Sequence, residues 1–147
     1  FKPLDGDIDE DGKVDGRDRR IVLSALGKCY QTPGYIVEVD FDRNGCIENS
    51  DFHRWLLFFV RYVVENRCRV HLKGDIDGDG RITAEDRLTM QESEGKCLGQ
   101  ADFIPSTDYD GDGCVDFWDR MEFIAYYLAQ RMCEQESNET DPNASAP

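Results

Sequence analysis

The sequence is poor in the side chains on which enzymes and membrane spans usually depend. It has two histidines, His53 and His71, and their neighbours supply neither a nucleophile nor a zinc-ligand spacing. The longest apolar run, residues 55–60, is far shorter than a membrane span. Arginines are dispersed among acids, so there is no basic stripe for nucleic acid. We therefore expect no catalytic centre, no membrane insertion and no nucleic-acid partner.

Acidic residues, in contrast, are abundant and regularly spaced, and the formal net charge is −14. A twelve-residue segment has oxygen-bearing side chains at its positions 1, 3, 5, 9 and 12, which are Asp75, Asp77, Asp79, Thr83 and Asp86. Gly80 fills position 6, where a calcium loop turns sharply, and Arg81 at position 7 can offer its backbone carbonyl. Because Ca²⁺ takes six to eight oxygen ligands, this spacing predicts a calcium loop.

The same spacing recurs in three further segments. The predicted ligands of the first loop are Asp7, Asp9, Asp11, Lys13, Asp15 and Asp18, those of the second are Asp40, Asp42, Asn44, Cys46, Glu48 and Asp51, and those of the fourth are Asp108, Asp110, Asp112, Cys114, Asp116 and Asp119. At position 7 the ligand is the backbone carbonyl. Position 8 is apolar and β-branched in every loop, which suits a short strand between paired loops. The sequence therefore predicts up to four bound Ca²⁺.

This interpretation accounts for much of the charge. The predicted ligand positions hold 18 of the 31 acidic residues, and four Ca²⁺ would change the net charge from −14 to −6. Without metal the clustered carboxylates repel one another, so we expect the metal-free form to be loosened or unfolded.

The chain contains an internal repeat with an offset of 68 residues. The matching pairs are Asp7 with Asp75, Cys29 with Cys97, Asp40 with Asp108, and Cys46 with Cys114. The repeat predicts two homologous modules, 1–68 and 69–134, followed by a polar tail, 135–147. Modules of this size commonly need metals or disulfides to remain folded.

Apolar periodicity predicts four helices, over residues 17–26, 50–67, 83–94 and 117–133, and a flexible segment after them. Gly27 and Gly95 are expected to end the first and third helices. The second and fourth helices are apolar over more of their surface than a small module can cover. They are expected to form the core, to present a binding or polymerisation face, or to do both.

The detailed form of the loops resembles the dockerin family. Position 12 is aspartate in all four loops, and the run Gly-Asp-Ile-Asp-x-Asp-Gly starts at Gly6 and again at Gly74. The resemblance covers residues 5–67 and 73–133. It implies a mainly α fold of four calcium loop–helix (half EF-hand) units in two dockerin-like pairs. It also implies a cohesin-like receptor as partner, recognised at loop positions 10 and 11, which are Gly16-Arg17, Asn49-Ser50, Ala84-Glu85 and Phe117-Trp118.

Six cysteines in so short a chain favour an oxidising compartment. The antiparallel helices of a dockerin-like pair imply the disulfides Cys29–Cys46 and Cys97–Cys114. Cys68 and Cys133 are then left to join each other or to bridge neighbouring molecules. Metal binding by the thiols is a weaker alternative, because no Cys-x-x-Cys pair exists and calcium prefers oxygen.

Other features also indicate a secreted protein. Glycosylation sequons start at Asn138 and Asn143, and the chain begins at Phe1 instead of methionine, as a processed product does. We therefore predict an extracellular calcium-binding protein with an assembly role and no enzymatic activity. It would be either an adaptor for a separate receptor or a self-polymerising subunit of a filament, matrix or surface appendage. An extracellular calcium sensor or buffer is a weaker alternative, because the chain has only three methionines and disulfides would oppose opening.

Overall fold

The computed structural model describes residues 4–140, except for the side chain of Thr140. The α-helices in this range are α1 (Gly16–Ala25), α2 (Asn49–Glu65), α3 (Arg67–Val70), α4 (Ala84–Ser93) and α5 (Phe117–Thr140). Two short 3₁₀ turns cover His71–Gly74 and Pro105–Thr107, and isolated β-bridges are the only β-structure within residues 4–140. The prediction of a mainly helical chain is confirmed.

Helices α1 and α4 start at residues that also belong to the predicted calcium loops. The Asp15 side chain accepts a hydrogen bond from the Arg17 amide, and the Asp18 side chain accepts one from the Asp15 amide. Thr83 and Asp86 form the same reciprocal cap at the start of α4. Loop positions 9 and 12 therefore fix where each helix begins, and the predicted starts differ from the observed ones by one residue.

Two predicted helix ends were wrong. Helix α2 ends at Glu65, and the four-residue α3 follows after Asn66. Helix α5 continues to Thr140, beyond its predicted end at residue 133, so the segment predicted to be flexible is helical as far as the structure describes it. The extension forms ion pairs with residues distant in sequence: Glu134 with Arg81 and Glu136 with Arg67. No local periodicity could reveal such pairs.

The chain forms two compact units. Within the described residues, the first comprises 4–62 together with Tyr109–Asp112, and the second comprises Val63–Asp108 and 113–140. These units describe where contacts concentrate, whereas the predicted modules follow the sequence repeat, so the module boundaries stay a prediction.

Trp55 of α2 is the central side chain of the first unit and is 1% exposed. Its ring stacks on those of Phe52 and Phe59, with centroid distances of 6.3 and 5.6 Å. Its Nε1 donates a hydrogen bond of 3.0 Å to the Gly6 carbonyl, immediately before the first calcium loop. The core of this unit is therefore tied directly to the loop.

The core of the second unit includes Met90, Phe123 and Tyr126, all buried. Gln130 of α5 lies beside Ile82, which is position 8 of the third loop. Its Oε1 accepts a 2.6 Å hydrogen bond from the Ile82 amide, and its Nε2 donates one of 3.1 Å to the Ile82 carbonyl. The side chain of Gln130 thus satisfies both backbone polar groups of this buried position.

The sequence analysis predicts that position 8 forms a short strand between paired loops. This prediction is wrong at Ile47, Ile82 and Val115, the positions whose backbone hydrogen bonds the structure shows. Besides Ile82, the Ile47 amide donates to the Lys28 carbonyl, and the Ile47 carbonyl accepts from the Gly27 amide, both at 2.8 Å. Val115 pairs in the same way with residues 95–96. The β-branched residue therefore pairs with the chain that leaves the preceding helix, because the turn at Gly27, with φ 78°, returns that chain alongside the loop.

All six cysteines form disulfides in the structure: Cys29–Cys46, Cys97–Cys114 and Cys68–Cys133. The first two are the pairs favoured in the sequence analysis, and the third is one of the two alternatives left open there. Cys68–Cys133 joins α3 to α5 and closes the longest loop, with a sequence separation of 65. By loop-closure entropy such a crosslink stabilises the fold by roughly 4 kcal/mol.

None of the helices within residues 4–140 has both the length and the apolar character needed to cross a bilayer.

Candidate metal centre

Each of the four predicted loops brings together the carboxylates at positions 1, 3 and 12. The clusters are Asp7, Asp9 and Asp18; Asp40, Asp42 and Asp51; Asp75, Asp77 and Asp86; and Asp108, Asp110 and Asp119. Within each cluster, one oxygen from every residue lies within 4.8 Å of the others. Three carboxylates so close together repel one another unless a cation lies between them.

The aspartate at position 12 closes the loop. In the third loop, Asp86 Oδ1 accepts hydrogen bonds from the amides of Ile76 and Asp77 at 2.7 and 3.2 Å, and Oδ2 accepts one from the Thr83 amide at 2.7 Å. Asp18 and Asp51 make the same three contacts in their loops. The side chains at position 12 are fully buried in all four loops. EF-hand loops usually have glutamate at position 12, where it binds the ion through both oxygens. The shorter aspartate can take this place because its side chain lies beside both ends of the loop.

The aspartate at position 1 shapes the turn. Asp75 Oδ2 accepts a 2.8 Å hydrogen bond from the Gly80 amide, and Oδ1 accepts one of 3.0 Å from the Asp79 amide. Gly80 has φ 94°, a left-handed conformation that favours glycine. The first two loops repeat these contacts at Asp7 and Asp40. Hydrogen bonds from the backbone amides of the loop thus fold it around the carboxylate at position 1.

The remaining predicted ligands lie outside the three-carboxylate clusters. At position 5, Asp79 accepts a hydrogen bond from the Arg81 amide at 2.9 Å, and Asp11 and Asn44 make the equivalent contacts to position 7. At position 9, Asp15 and Thr83 cap helices, which fits a position that often reaches calcium through water. Both position-7 cysteines, Cys46 and Cys114, are in disulfides, so the alternative of thiol ligands is wrong.

Burial and backbone hydrogen bonds shift the pKa values of the position-12 carboxylates in opposite directions. It raises the pKa of Asp18 to about 6, because the ionised form is costly away from water. Burial acts in the same direction on Asp86, but hydrogen bonds from the amides of Thr83, Asp77 and Ile76 outweigh it and lower the pKa. A divalent cation beside either carboxylate would stabilise its ionised form.

Two residues missed in the sequence analysis contact the clusters. The Tyr35 hydroxyl donates a 2.7 Å hydrogen bond to Asp40 Oδ2, which lowers the pKa of Asp40 and raises that of Tyr35 to about 12. Arg19 Nη2 lies 2.9 Å from Asp110 Oδ2, and both side chains are buried. The spacing of the loops contains no signal for either contact, because Tyr35 lies before the second loop and Arg19 is 91 residues from Asp110.

The predicted glycosylation sites are only partly within the described chain. Asn138 is exposed near the end of α5, whereas Asn143 lies outside the described residues. Of the two histidines, His71 has its Nδ1 3.1 Å from the Arg67 carbonyl, an ordinary contact along the chain.

The donor set of the clusters fits calcium better than a softer metal. All the converging atoms are carboxylate oxygens, the ligands of a hard cation, and the nitrogen and sulfur ligands typical of zinc are absent from the clusters.

Comparison with known proteins gives two similar sequences. The probable calcium-binding protein CML16 of Oryza sativa subsp. japonica is 29% identical over 126 residues, which is 76% of this chain and 68% of that protein. The probable calcium-binding protein CML34 of Arabidopsis thaliana is 29% identical over 125 residues, which is 80% of this chain and 89% of that protein. No protein-family profile matches the chain. No solved structure matches it significantly.

Proposed function

We propose that the protein binds calcium, with one Ca²⁺ in each of the four loops. The observation that carries this proposal is the fourfold recurrence of three carboxylate oxygens within 4.8 Å of one another. The two similar proteins, both named as probable calcium-binding proteins, support it.

The ligands would come from the loop positions already described. The carboxylates at positions 1, 3 and 12 form the base of each site, the side chain at position 5 and the carbonyl at position 7 complete it, and position 9 acts through water. The bound ion would offset most of the charge of the three clustered carboxylates and hold the start of the following helix. Its role is therefore structural, and no catalytic step is assigned to these residues.

The wider role that we propose is an extracellular assembly module built from two dockerin-like pairs. Two observations support it. The three disulfides suit an oxidising compartment. Large apolar side chains on both units are exposed, among them Leu57 and Leu98, at 70% and 77% exposure, and a partner protein could cover them.

A sensor role has less support. Calcium sensors open a helix pair to expose an apolar groove, and this requires two helices to separate. Here Cys68–Cys133 bonds α3 to α5, and Cys97–Cys114 bonds the segment that follows α4 to the fourth loop. Extracellular calcium sites typically have dissociation constants of about 10⁻⁴–10⁻³ M. Outside the cell the ions would therefore stay bound and stabilise the fold permanently.

Sedimentation velocity in calcium distinguishes the adaptor from a polymer subunit. We expect the oxidised protein to be a monomer whose sedimentation coefficient is independent of concentration, because the three disulfides leave no cysteine within the chain for a bridge to a neighbour. Assembly that grows with protein concentration would contradict the adaptor and favour the self-polymerising subunit.

A further inference from the structure

A groove between α4 and α5 combines an apolar floor with a rim of arginines. Its volume is about 650 Å³, within the usual range for ligand sites. The floor is formed by Ile82, Met90, Phe123, Ile124 and Tyr127, and the rim by Arg81, Arg87, Arg120 and Arg131. We call this the arginine groove. All of its residues belong to the second unit.

The charge of this rim is opposite to that of the protein as a whole. The chain has a formal charge of −14, yet four of its 17 basic residues surround this one groove. Arg87 has no ion pair or side-chain hydrogen bond within the described chain. Such a local excess of positive charge over an apolar floor is complementary to an acidic, amphipathic ligand.

The other three arginines already pair with carboxylates of the same unit. Arg120 Nη1 lies 3.1 Å from a carboxylate oxygen of Glu94. At the other end of the groove, Glu134 Oε1 accepts a hydrogen bond of 2.5 Å from Arg81 Nη2, and Glu134 Oε2 lies 3.6 Å from Arg131 Nη1. These pairs are partly exposed to solvent, so each contributes little to stability. A carboxylate from a partner could therefore join or replace Glu94 and Glu134 at small cost.

The first repeat has no equivalent rim. At the offset of 68 residues, Arg120 corresponds to Phe52 and Phe123 to Trp55, and both aromatic rings are buried and stacked. Arg87 corresponds to Arg19, whose side chain is 4% exposed and paired with Asp110. At the four rim positions the first repeat thus has three buried side chains, Arg19, Phe52 and Val63, and one exposed basic side chain, Lys13.

The spread of the arginines indicates the size of the occupant. Arg120 and Arg131 are eleven residues apart on α5, about 16 Å along the helix axis at 1.5 Å per residue. One anionic head group cannot reach both ends. A peptide with several acidic side chains and an apolar face can, in the helix-in-groove mode of recognition.

We infer that the arginine groove docks an acidic, amphipathic helical segment of a partner protein. The apolar face of the segment would cover Ile124 and Tyr127, and its carboxylates would pair with the rim arginines. This inference rests on the proposed role as a protein-binding module, and adds the surface and the chemical class of partner.

The test uses two labelled helix-forming peptides with the same leucine pattern, one with glutamates on its flanks and one with lysines. Fluorescence anisotropy with the calcium-loaded protein should show binding of the glutamate peptide and at least about tenfold weaker binding of the lysine peptide. Arg87→Glu and Arg120→Glu should each weaken the glutamate peptide by about tenfold, since each replaces attraction with repulsion. Ile124→Ser should also weaken it, because the floor loses apolar contact.

The matched control is Arg69→Glu, the same charge change on an exposed residue of α3 that does not line the groove. It should leave peptide binding unchanged. Equal binding of both peptides, or binding that survives Arg87→Glu, would overturn the inference. So would a dimer of the chain that Arg87→Glu dissociates, because the occupant would then be a second copy.

Calcium content, measured on the same samples, separates this inference from the function on which it rests. Variants that keep their calcium but lose the glutamate peptide support the groove. A wild-type protein that keeps its calcium but binds neither peptide refutes the groove alone. A wild-type protein without calcium refutes the proposed calcium sites, whatever the peptides do.

Discussion

Removal of calcium with EDTA is expected to abolish most of the helical circular dichroism of the oxidised protein. Each site, at a free calcium concentration one hundred times its dissociation constant, stabilises the fold by about 2.7 kcal/mol. Four such sites would supply about 11 kcal/mol, comparable with the total stability of a small domain, about 5–15 kcal/mol. The loops that lose their ions also contain the caps of α1 and α4, so unfolding of the loops removes the start of these helices.

Magnesium is the control for this experiment. It demands octahedral geometry and gives up its water reluctantly, so an excess of Mg²⁺ should restore less helix than an equal concentration of Ca²⁺. Re-addition of calcium should restore the spectrum, because the disulfides keep the chain crosslinked throughout. A spectrum that does not change in EDTA would show that the fold does not depend on the ions.

Replacement of the fully buried Trp55 by alanine, Trp55→Ala, should destabilise the first unit by about 3–5 kcal/mol. The ring is 1% exposed, stacks on two other rings, and bonds to the Gly6 carbonyl. Its loss would leave a cavity and an unpaired carbonyl beside the first calcium loop. Urea denaturation in calcium should show the change as a lower midpoint.

Two further variants separate the causes. Trp55→Phe keeps most of the apolar surface but removes the hydrogen bond, and should cost about 1 kcal/mol for that bond in addition to the smaller ring. Leu57→Ala, on the same helix but 70% exposed, should change stability by less than about 0.5 kcal/mol. A midpoint for Trp55→Ala equal to that of the wild type would contradict the role of this side chain in the core.

The loops and helix starts could be predicted because their determinants lie close together in sequence. A twelve-residue spacing fixes which carboxylates converge, and the cap that begins α4 uses Thr83 and Asp86, two residues of that same spacing. The glycine turns that follow α1 and α4 are equally local. Physical rules that act over a few residues were therefore enough for these elements.

Features that depend on residues far apart in sequence could not be predicted. The extension of α5 forms ion pairs such as Arg81 with Glu134. The Asp110 carboxylate forms an ion pair with Arg19, which belongs to the other repeat of the sequence. The arginine groove is likewise formed by residues of the third loop, α4 and α5 that no single periodicity connects. The hydrogen bonds between the Gln130 side chain and the backbone of Ile82 also form only once the helices are in place.

Native mass spectrometry of the calcium-loaded protein tests most directly whether the four carboxylate clusters hold calcium. We predict four Ca²⁺ in the wild-type protein and three in Asp86→Asn, which removes the buried carboxylate charge from the third cluster. Glu85→Gln, an adjacent exposed carboxylate outside the cluster, should retain four. A wild-type protein that carries no calcium, or an Asp86→Asn variant that carries as many ions as the wild type, would contradict the assignment of these loops.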